Sequence, residues 1–321
     1  MANTTRSQIS RENTEFYDRT LLYRAVAYFV HTKFGQVRDI PRNGGTNRVK
    51  FRRYGNLTAA TTALTEGVTP AGSSLSVTDI TADVSQYGDY ITITDVVDYE
   101  SKDPVLIEAA EILGDQMGDT LDQLTRDVLA AGTVVTYIGD TTRGGITTTD
   151  LITATEVRKA VRTLKTAKAR RITRMINSST GIATEPVAAS YIGIVHPSTT
   201  YDLQDETGWV PVEKYASTTA VMENEVGKLH EVRFIETTNA KVFTGGGAGA
   251  IDVYATIILG MDAYGLTRIA GEAVRNIVKP LGSSGTADPL EQRATSGWKA
   301  TFVAKILNDN FMVRLEHAVS A

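Results

Sequence analysis

The sequence predicts an α+β protein organised around one long helix, and three observations carry that expectation. Residues 103–132, "DPVLIEAAEILGDQMGDTLDQLTRDVLAAG", place Leu106, Ala110, Leu113, Met117, Leu121, Leu124 and Val128 four and three residues apart, the spacing of one helix face. Residues 48–54, "RVKFRRY", alternate apolar and basic side chains, so a strand there can bury only one face. After a mixed middle, the chain closes on two strand patterns, Ser296–Ile306 and Phe311–His317, joined at "LNDN" and read as a returning antiparallel pair.

Taken in order, residues 11–34 carry a helical pattern. Asn13 or Thr14 could cap it, Phe16, Leu21, Leu22, Ala25, Val26 and Phe29 face inward, and Gly35 stops it. Strands are expected at Arg48–Tyr54, Leu75–Val84 and Tyr90–Val97. The stretch between the first two is polar and rich in Thr and Gly, and loops of that length are uncommon inside a compact domain. Together they read as an extended two-stranded arm. A lone hairpin is marginal in water, so the arm needs something outside its own domain to lie on.

In the long helix Asp103 can cap, Pro104 suits the first helical position and Gly132 suits the end. The helix would run roughly 40 Å. Gly114 and Gly118 each cost about 1 kcal/mol inside it, which close approach of a crossing strand would explain. "TVVTYIGD" follows as a strand, and "TTRGGITTTD" as a turn. Thr153 or Thr155 starts a helix whose inner face is Val157, Val161, Leu164 and Ala167. "ASYIGIVHPSTTYDLQDE" is a buried strand broken by Pro197 and then a helix start, "KLHEVRFIET" and "AIDVYATIILG" are strands, and "AVRNIVKP" is a short one. The pattern contains no internal repeat.

Composition excludes several chemistries. Across 321 residues there is no cysteine, which removes disulfides, thiolate nucleophiles and cysteine metal sites. No run of 18 apolar residues suggests a membrane span. The opening residues lack the apolar stretch of a signal peptide, so synthesis in the cytoplasm is expected. Gly245, Gly247 and Ala250 fit G-x-G-x-x-A formally, but a β-patterned segment follows where a dinucleotide site needs a helix. They read as a loop between two strands. His31, His196, His230 and His317 stand apart in sequence, and no serine lies in a G-x-S-x-G elbow. The acidic pairs Asp95/Asp98 and Asp119/Asp122 read as solvated faces, and Trp209 and Trp298 as packing residues. No catalytic, cofactor-binding or metal-ligating residue is assigned.

The net charge of −4 hides strong blocks. Residues 33–60 carry seven bases against Asp39, residues 61–132 carry fourteen acids against Lys102 and Arg126, and residues 153–175 carry eight bases against Glu156. Solvated faces are the simple account. Alternating blocks also suit self-association, one copy's basic arm meeting another's acidic face.

This order of parts resembles the major capsid protein of tailed bacteriophages, the Hong Kong 97-type fold. The wording is similar to the phage N-four-type coat proteins in "FGQVRDIPRNGGTNRVKFRRYGNLTAATTALTEGVTP", "YGDYITITDVVD", "DPVLIEAAEILGDQMGDTLDQLTRDVLAAG" and "DPLEQRATSGWKATFVAKILND". The resemblance covers residues 12–318. It implies an N-terminal arm at 1–36, an extended loop at 37–90, a peripheral domain at 91–150 and 275–321 with the long helix as its spine, and an axial domain at 151–274. It further implies a structural protein, not an enzyme, assembled in the host bacterial cytoplasm into the icosahedral head shell of a virion. Its partners would be copies of itself as hexamers and pentamers, the portal, scaffold or decoration proteins, and packaged double-stranded DNA held without sequence specificity. No cofactor or membrane is implied. The family's N-terminal scaffolding segment has no counterpart here, and neither maturation cleavage nor a cross-link is inferred. On this reading some of Arg48, Lys50, Arg52 and Arg53 lie against a neighbour's long helix, whose Glu108, Glu111, Asp115, Asp119 and Asp122 fall several on its outer face. Two alternatives stand beside it: a nanocompartment shell of the same fold, and a two-domain α/β hydrolase or sugar-active protein using His196.

Overall fold

The computed structural model describes residues 29–41, 46–55, 57–100, 105–172, 188–215, 222–269, 274–283 and 288–320, without the side chains of residues 98–100, 106 and 107. The first strands are β1 (Gln36–Ile40), β2 (Arg48–Tyr54), β3 (Val77–Asp83) and β4 (Ser85–Thr94). Helices α1 (Asp95–Glu100) and α2 (Val105–Ala130) follow, then β5 (Val135–Tyr137) and α3 (Ala154–Thr166). Next come β6 (Tyr191–Val195), α4 (Pro197–Gln204), β7 (Trp209–Pro211), β8 (Glu225–Leu229) and β9 (Val232–Glu236). The chain finishes with β10 (Val242–Phe243), β11 (Val253–Leu259), β12 (Tyr264–Ile269), β13 (Val274–Lys279), β14 (Arg293–Ile306) and β15 (Met312–His317).

One sheet is centred on β14. Its N-terminal part pairs with β4 and β13, its C-terminal part pairs with β12, and β1 adds to β12 in parallel. The second sheet runs β5-β15-β11-β6-β9-β8-β7, with β10 on β11. Helix α2 lays Leu113, Met117 and Leu121 on Trp298, Ala300, Phe302 and Ala304 of β14, and the same core takes in Ile192, Ile194, Ile257 and Leu259 of the second sheet. The opposite face of that second sheet, through Tyr191, Val195, Phe234 and Ile258, packs under Val157, Ala160, Val161 and Leu164 of α3. Central strands β6 and β11 therefore bury both faces, which is why they read as nearly continuous apolar runs.

The helical stripe of α2 is buried from Ala110 through Leu121, with Leu124 and Val128 partly so. Gly114 and Gly118 are buried on either side of Gln116, whose side-chain carbonyl accepts from the Trp298 indole at 3.1 Å, so strand β14 crosses the helix there. The caps expected at Asp103 and Pro104 lie outside the described residues, as does most of the helix expected at 11–34. Within 29–35 the chain makes turns instead. Thr153 caps α3 by accepting from the Glu156 amide.

Three expectations are corrected. The two terminal strands are not a pair: β14 lies in the first sheet and β15 in the second. The chain turns a corner at Leu307 and Asn308, whose amides both donate to Ala263. "KLHEVRFIET" is two strands, β8 and β9, because His230 adopts a left-handed φ of 55° and reverses the chain. Asp95–Val97, expected to continue a strand, begins helix α1.

Candidate functional site

Chemistry-bearing side chains in this fold are occupied with holding it together. His196 caps α4, its Nδ1 lying 3.2 Å from the Ser198 amide and 3.1 Å from the Ser198 hydroxyl. Its ring lies 5.1 Å from that of Tyr254, tilted at 55°, and burial lowers its pKa against the pull of Glu236. His317 is buried, with Nδ1 against the Ala318 carbonyl and Nε2 against Thr256. Burial pushes it down to about 4, so it is neutral. Gly245, Gly247 and Ala250 form the loop between β10 and β11. The Gly245 amide donates to Asp252 and that of Gly247 to Ile251, so neither is turned to a ligand. Arg314 of β15 donates to the carbonyls of Ala130 and Gly132, closing the C-terminus of α2. Glu316 holds Arg314 at 2.8 Å and Arg143 at 2.6 Å.

The exposed surface differs in kind. β2 and β3 form a separate two-stranded ribbon in which Phe51 faces Ile80 and Tyr54 faces Val77. At its base Val49, Phe51, Ile80 and Ala82 pack on Val303 and Leu307 of the same chain. Gly265 lets that contact form, because a Cβ there would stand 2.8 Å from the Phe51 ring. The base thus rests on β14 and the corner after it, outside the ribbon's own segment. Beyond Tyr54 the support ends. Every described residue of 55–76 is exposed, including Leu57, Leu64 at 77%, Val68 and Leu75 at 67%. A groove of about 860 Å³ runs along the ribbon, lined among others by Arg38, Phe51, Arg53, Leu307 and Phe311.

The ribbon's four cations divide into two pairs. Arg48 binds Asp83 at 2.5 Å and Arg52 binds Asp79 at 3.0 Å, cross-strand pairs that raise the pKa of each arginine through the carboxylate hydrogen bond. These two are satisfied within the ribbon. Lys50 and Arg53 are exposed and make no ion pair among the described residues. By strand alternation Arg53 shares the face of Phe51, and Lys50 has the opposite one.

The acids of α2 do not form one outer face. Glu108 is exposed, while Glu111 and Asp115 are partly buried and already engaged. Asp119 accepts from Gln123 and from Asn239, both at 2.7 Å. Asp122 is 0% exposed: Oδ1 accepts from the Val30 and His31 amides at 2.9 and 2.7 Å, and Oδ2 lies 2.7 Å from His31 Nδ1. Tyr264 donates to the His31 carbonyl and accepts from the Phe34 amide, and its own burial raises its pKa. Asp122 is therefore a lock that holds residues 30–34 to the helix, and it cannot meet a neighbour. Sequence reasoning missed both this lock and the apolar residues of the ribbon tip. The one available signal was that Leu57, Leu64, Val68 and Leu75 sit among residues too polar to bury them.

No protein-family model matches the chain, and no curated protein matches it in sequence. Solved structures do match in fold. The capsid of Ralstonia phage GP4 superposes with a TM-score of 0.72 at 13% identity, over 91% of this chain and 89% of that one. The capsid of cyanophage P-SCSP1u gives 0.63 at 14%, over 91% and 88%. The holo-SrpI encapsulin complex from Synechococcus elongatus PCC 7942 gives 0.55 at 7%, over 94% and 89%. At these identities the likeness establishes the fold, and it is the Hong Kong 97-type fold that the sequence resemblance implied.

Proposed function

We propose that this chain is the structural shell subunit of a tailed-phage head, assembling with copies of itself as hexamers and pentamers around double-stranded DNA. One observation carries the reading beyond the fold: the ribbon tip at 55–76 exposes four large aliphatic side chains, Leu57, Leu64, Val68 and Leu75, that no described residue buries. Repeated in every copy, such a tip gives each subunit a reach into its neighbour, and one seated contact raises the effective concentration of the next. A specific contact of this kind buries on the order of 1,000 Å² or more.

Within this reading the chain divides into the N-terminal arm at 1–36, extended loop at 37–90, peripheral domain at 91–150 and 275–321, and axial domain at 151–274. Of the four ribbon cations, Lys50 and Arg53 are left to meet a neighbour's acids, and Glu108 is the exposed one among Glu108, Glu111, Asp115, Asp119 and Asp122 of α2. Portal, scaffold and decoration proteins are the further partners, and the virion is the location. The fold likeness to an encapsulin keeps one second reading in view, a shell that holds protein cargo. His196 as a helix cap argues against the hydrolase reading.

Expression of the full chain followed by sedimentation and negative-stain microscopy tests the proposal. Closed shells support it, and monomers under every condition of concentration and salt reject it. Nucleic acid rather than protein inside shells recovered from infected cells separates the phage head from the nanocompartment.

A further inference from the structure

The basic block at 153–175 remains unassigned by anything above. Helix α3 buries Val157, Ala160, Val161 and Leu164 on the second sheet, so its other face is turned to solvent. That face and the turn after it carry Arg158, Lys159, Arg162, Lys165, Lys168, Arg170 and Arg171, all exposed. The acids within reach are already taken: Glu156 holds Lys159, and Glu231 holds both Lys165 and Arg171. Arg158, Arg162, Lys168 and Arg170 are left with no ion pair among the described residues. Arg158 and Arg162, four apart, lie one above the other on the helix. Lys168 occupies the left-handed position after the helix end, φ 59°, which glycine fills more easily. Asp262 stands in the turn whose Met261 amide binds the Arg170 carbonyl, but it does not pair with Arg170.

What this face lacks is as informative as what it carries. None of the large exposed apolar side chains lies on residues 154–171, and Met261 at the far edge is the nearest placed by a hydrogen bond. Protein interfaces draw their energy from buried aromatic and aliphatic anchors, which are absent here. Single-stranded nucleic acid needs aromatic platforms for its bases, and this face presents none. Phosphates on a duplex need cations alone.

We propose that the solvent face of α3, through Arg158, Arg162, Lys168 and Arg170, is a sequence-independent contact surface for the phosphate backbone of duplex DNA, and that it faces the lumen of the shell. This rests on the shell reading above and adds which surface meets the genome. The test uses the full chain purified before assembly and a 30-base-pair duplex of mixed sequence, followed by fluorescence anisotropy across a salt series. Four phosphate contacts predict a log–log salt slope of about −3.6. Arg158→Glu with Arg162→Glu should weaken binding at least tenfold and flatten the slope by about 2, and Arg158→Gln with Arg162→Gln should fall between. Circular dichroism shows whether each variant is folded. Wild-type subunit that ignores the duplex, or variants that bind it equally well, overturn the inference. So does poly-glutamate competing as well as DNA does, which would make the face a site for acidic protein. Sealed wild-type shells should not bind the added duplex; binding from outside at the subunit's strength overturns the lumenal placement. Sedimentation of the same samples reports assembly, so shells that form without duplex binding defeat this inference alone, and a failure to form shells defeats the reading beneath it.

Discussion

The ribbon tip and the solvent face of α3 are both exposed, yet they offer different things: residues 55–76 hold Glu66 as their one charged residue, whereas residues 154–171 carry seven bases. The ribbon combines Lys50 and Arg53 on β2, which make no ion pair among the described residues, with exposed Leu57, Leu64, Val68 and Leu75 at its tip. The α3 face offers cations and no large apolar side chain. A surface with apolar anchors gains from being buried against protein, because burying each large aliphatic side chain contributes about 1.5–3 kcal/mol. A surface of cations alone gains mainly from phosphates and loses that gain as salt rises. Charge and apolar content both separate the two stretches: the tip holds four large aliphatic residues with Glu66 as its one charge, and the α3 face holds bases without large apolar side chains.

The largest effect should come from removing those anchors. Leu57→Ser, Leu64→Ser, Val68→Ser and Leu75→Ser together should abolish shell formation at any salt, a loss of about 6 kcal/mol or more at each interface. The denaturation midpoint of the isolated subunit should stay where it was. Shells forming at wild-type yield would erase the distinction between the two surfaces.

Next is the core on which both surfaces stand. Asp122→Ala strips the Val30 and His31 amides and the His31 ring of their buried acceptor. Breaking one side of such a buried arrangement should destabilise the chain by about 3–5 kcal/mol. Chemical denaturation measures this, and a change below about 1 kcal/mol would mean that the lock is peripheral. Both surfaces should fail together in this variant, unlike the selective failures above.

A smaller effect depends on pH. His317 titrates near 4 when folded, because it is buried, against roughly 6.5 in an unfolded chain. The unfolded chain therefore takes the proton first. The stability from keeping His317 neutral is complete above about pH 6.5 and disappears as the pH falls from there to 4, about 3 kcal/mol in all. Thermal melts across that window should slope downward toward acid for the wild type and flatten for His317→Gln. Equal slopes would assign the acid sensitivity elsewhere. Comparisons of the two surfaces are cleanest above pH 6.5, where this contribution is constant.

The smallest effect concerns ribbon charge. Lys50→Glu with Arg53→Glu should lower assembly a few-fold at low salt and little at high salt, since exposed charges are screened beyond about 8 Å at physiological ionic strength. Arg48 and Arg52 are poorer choices because reversing them also breaks the ribbon's own pairs with Asp83 and Asp79. Sedimentation across a salt series would show it, and an equal defect at every ionic strength would point away from charge.

Much of this architecture was legible because it is local. Strand β2 at Arg48–Tyr54 alternates, α2 carries a stripe with four- and three-residue spacing, and Thr153 is a capping residue in front of an amphipathic pattern. What stayed hidden depends on partners distant in sequence. Asp122 looks like any aspartate on a helix surface until His31, ninety-one positions earlier, folds onto it. The separation of β14 from β15 was invisible because a strand pattern does not name its neighbour. The break at His230 was missed because alternation runs through "KLHEVRFIET" without a glycine to announce the turn. Of the residues expected to meet a neighbour, Lys50, Arg53 and Glu108 are exposed and make no ion pair among the described residues, whereas Arg48, Arg52, Asp119 and Asp122 have partners within the chain. Sequence could give the sign of these charges but not what already neutralises them.

An electron cryomicroscopy map of particles assembled from the full chain, clear enough to trace residues 55–76 and α3, tests the central claim directly. The account predicts a closed shell in which Leu57, Leu64, Val68 and Leu75 are buried against a neighbouring copy while Arg158 and Arg162 face the lumen. A shell whose ribbon tips stand free in solvent, with α3 packed between subunits, would contradict it.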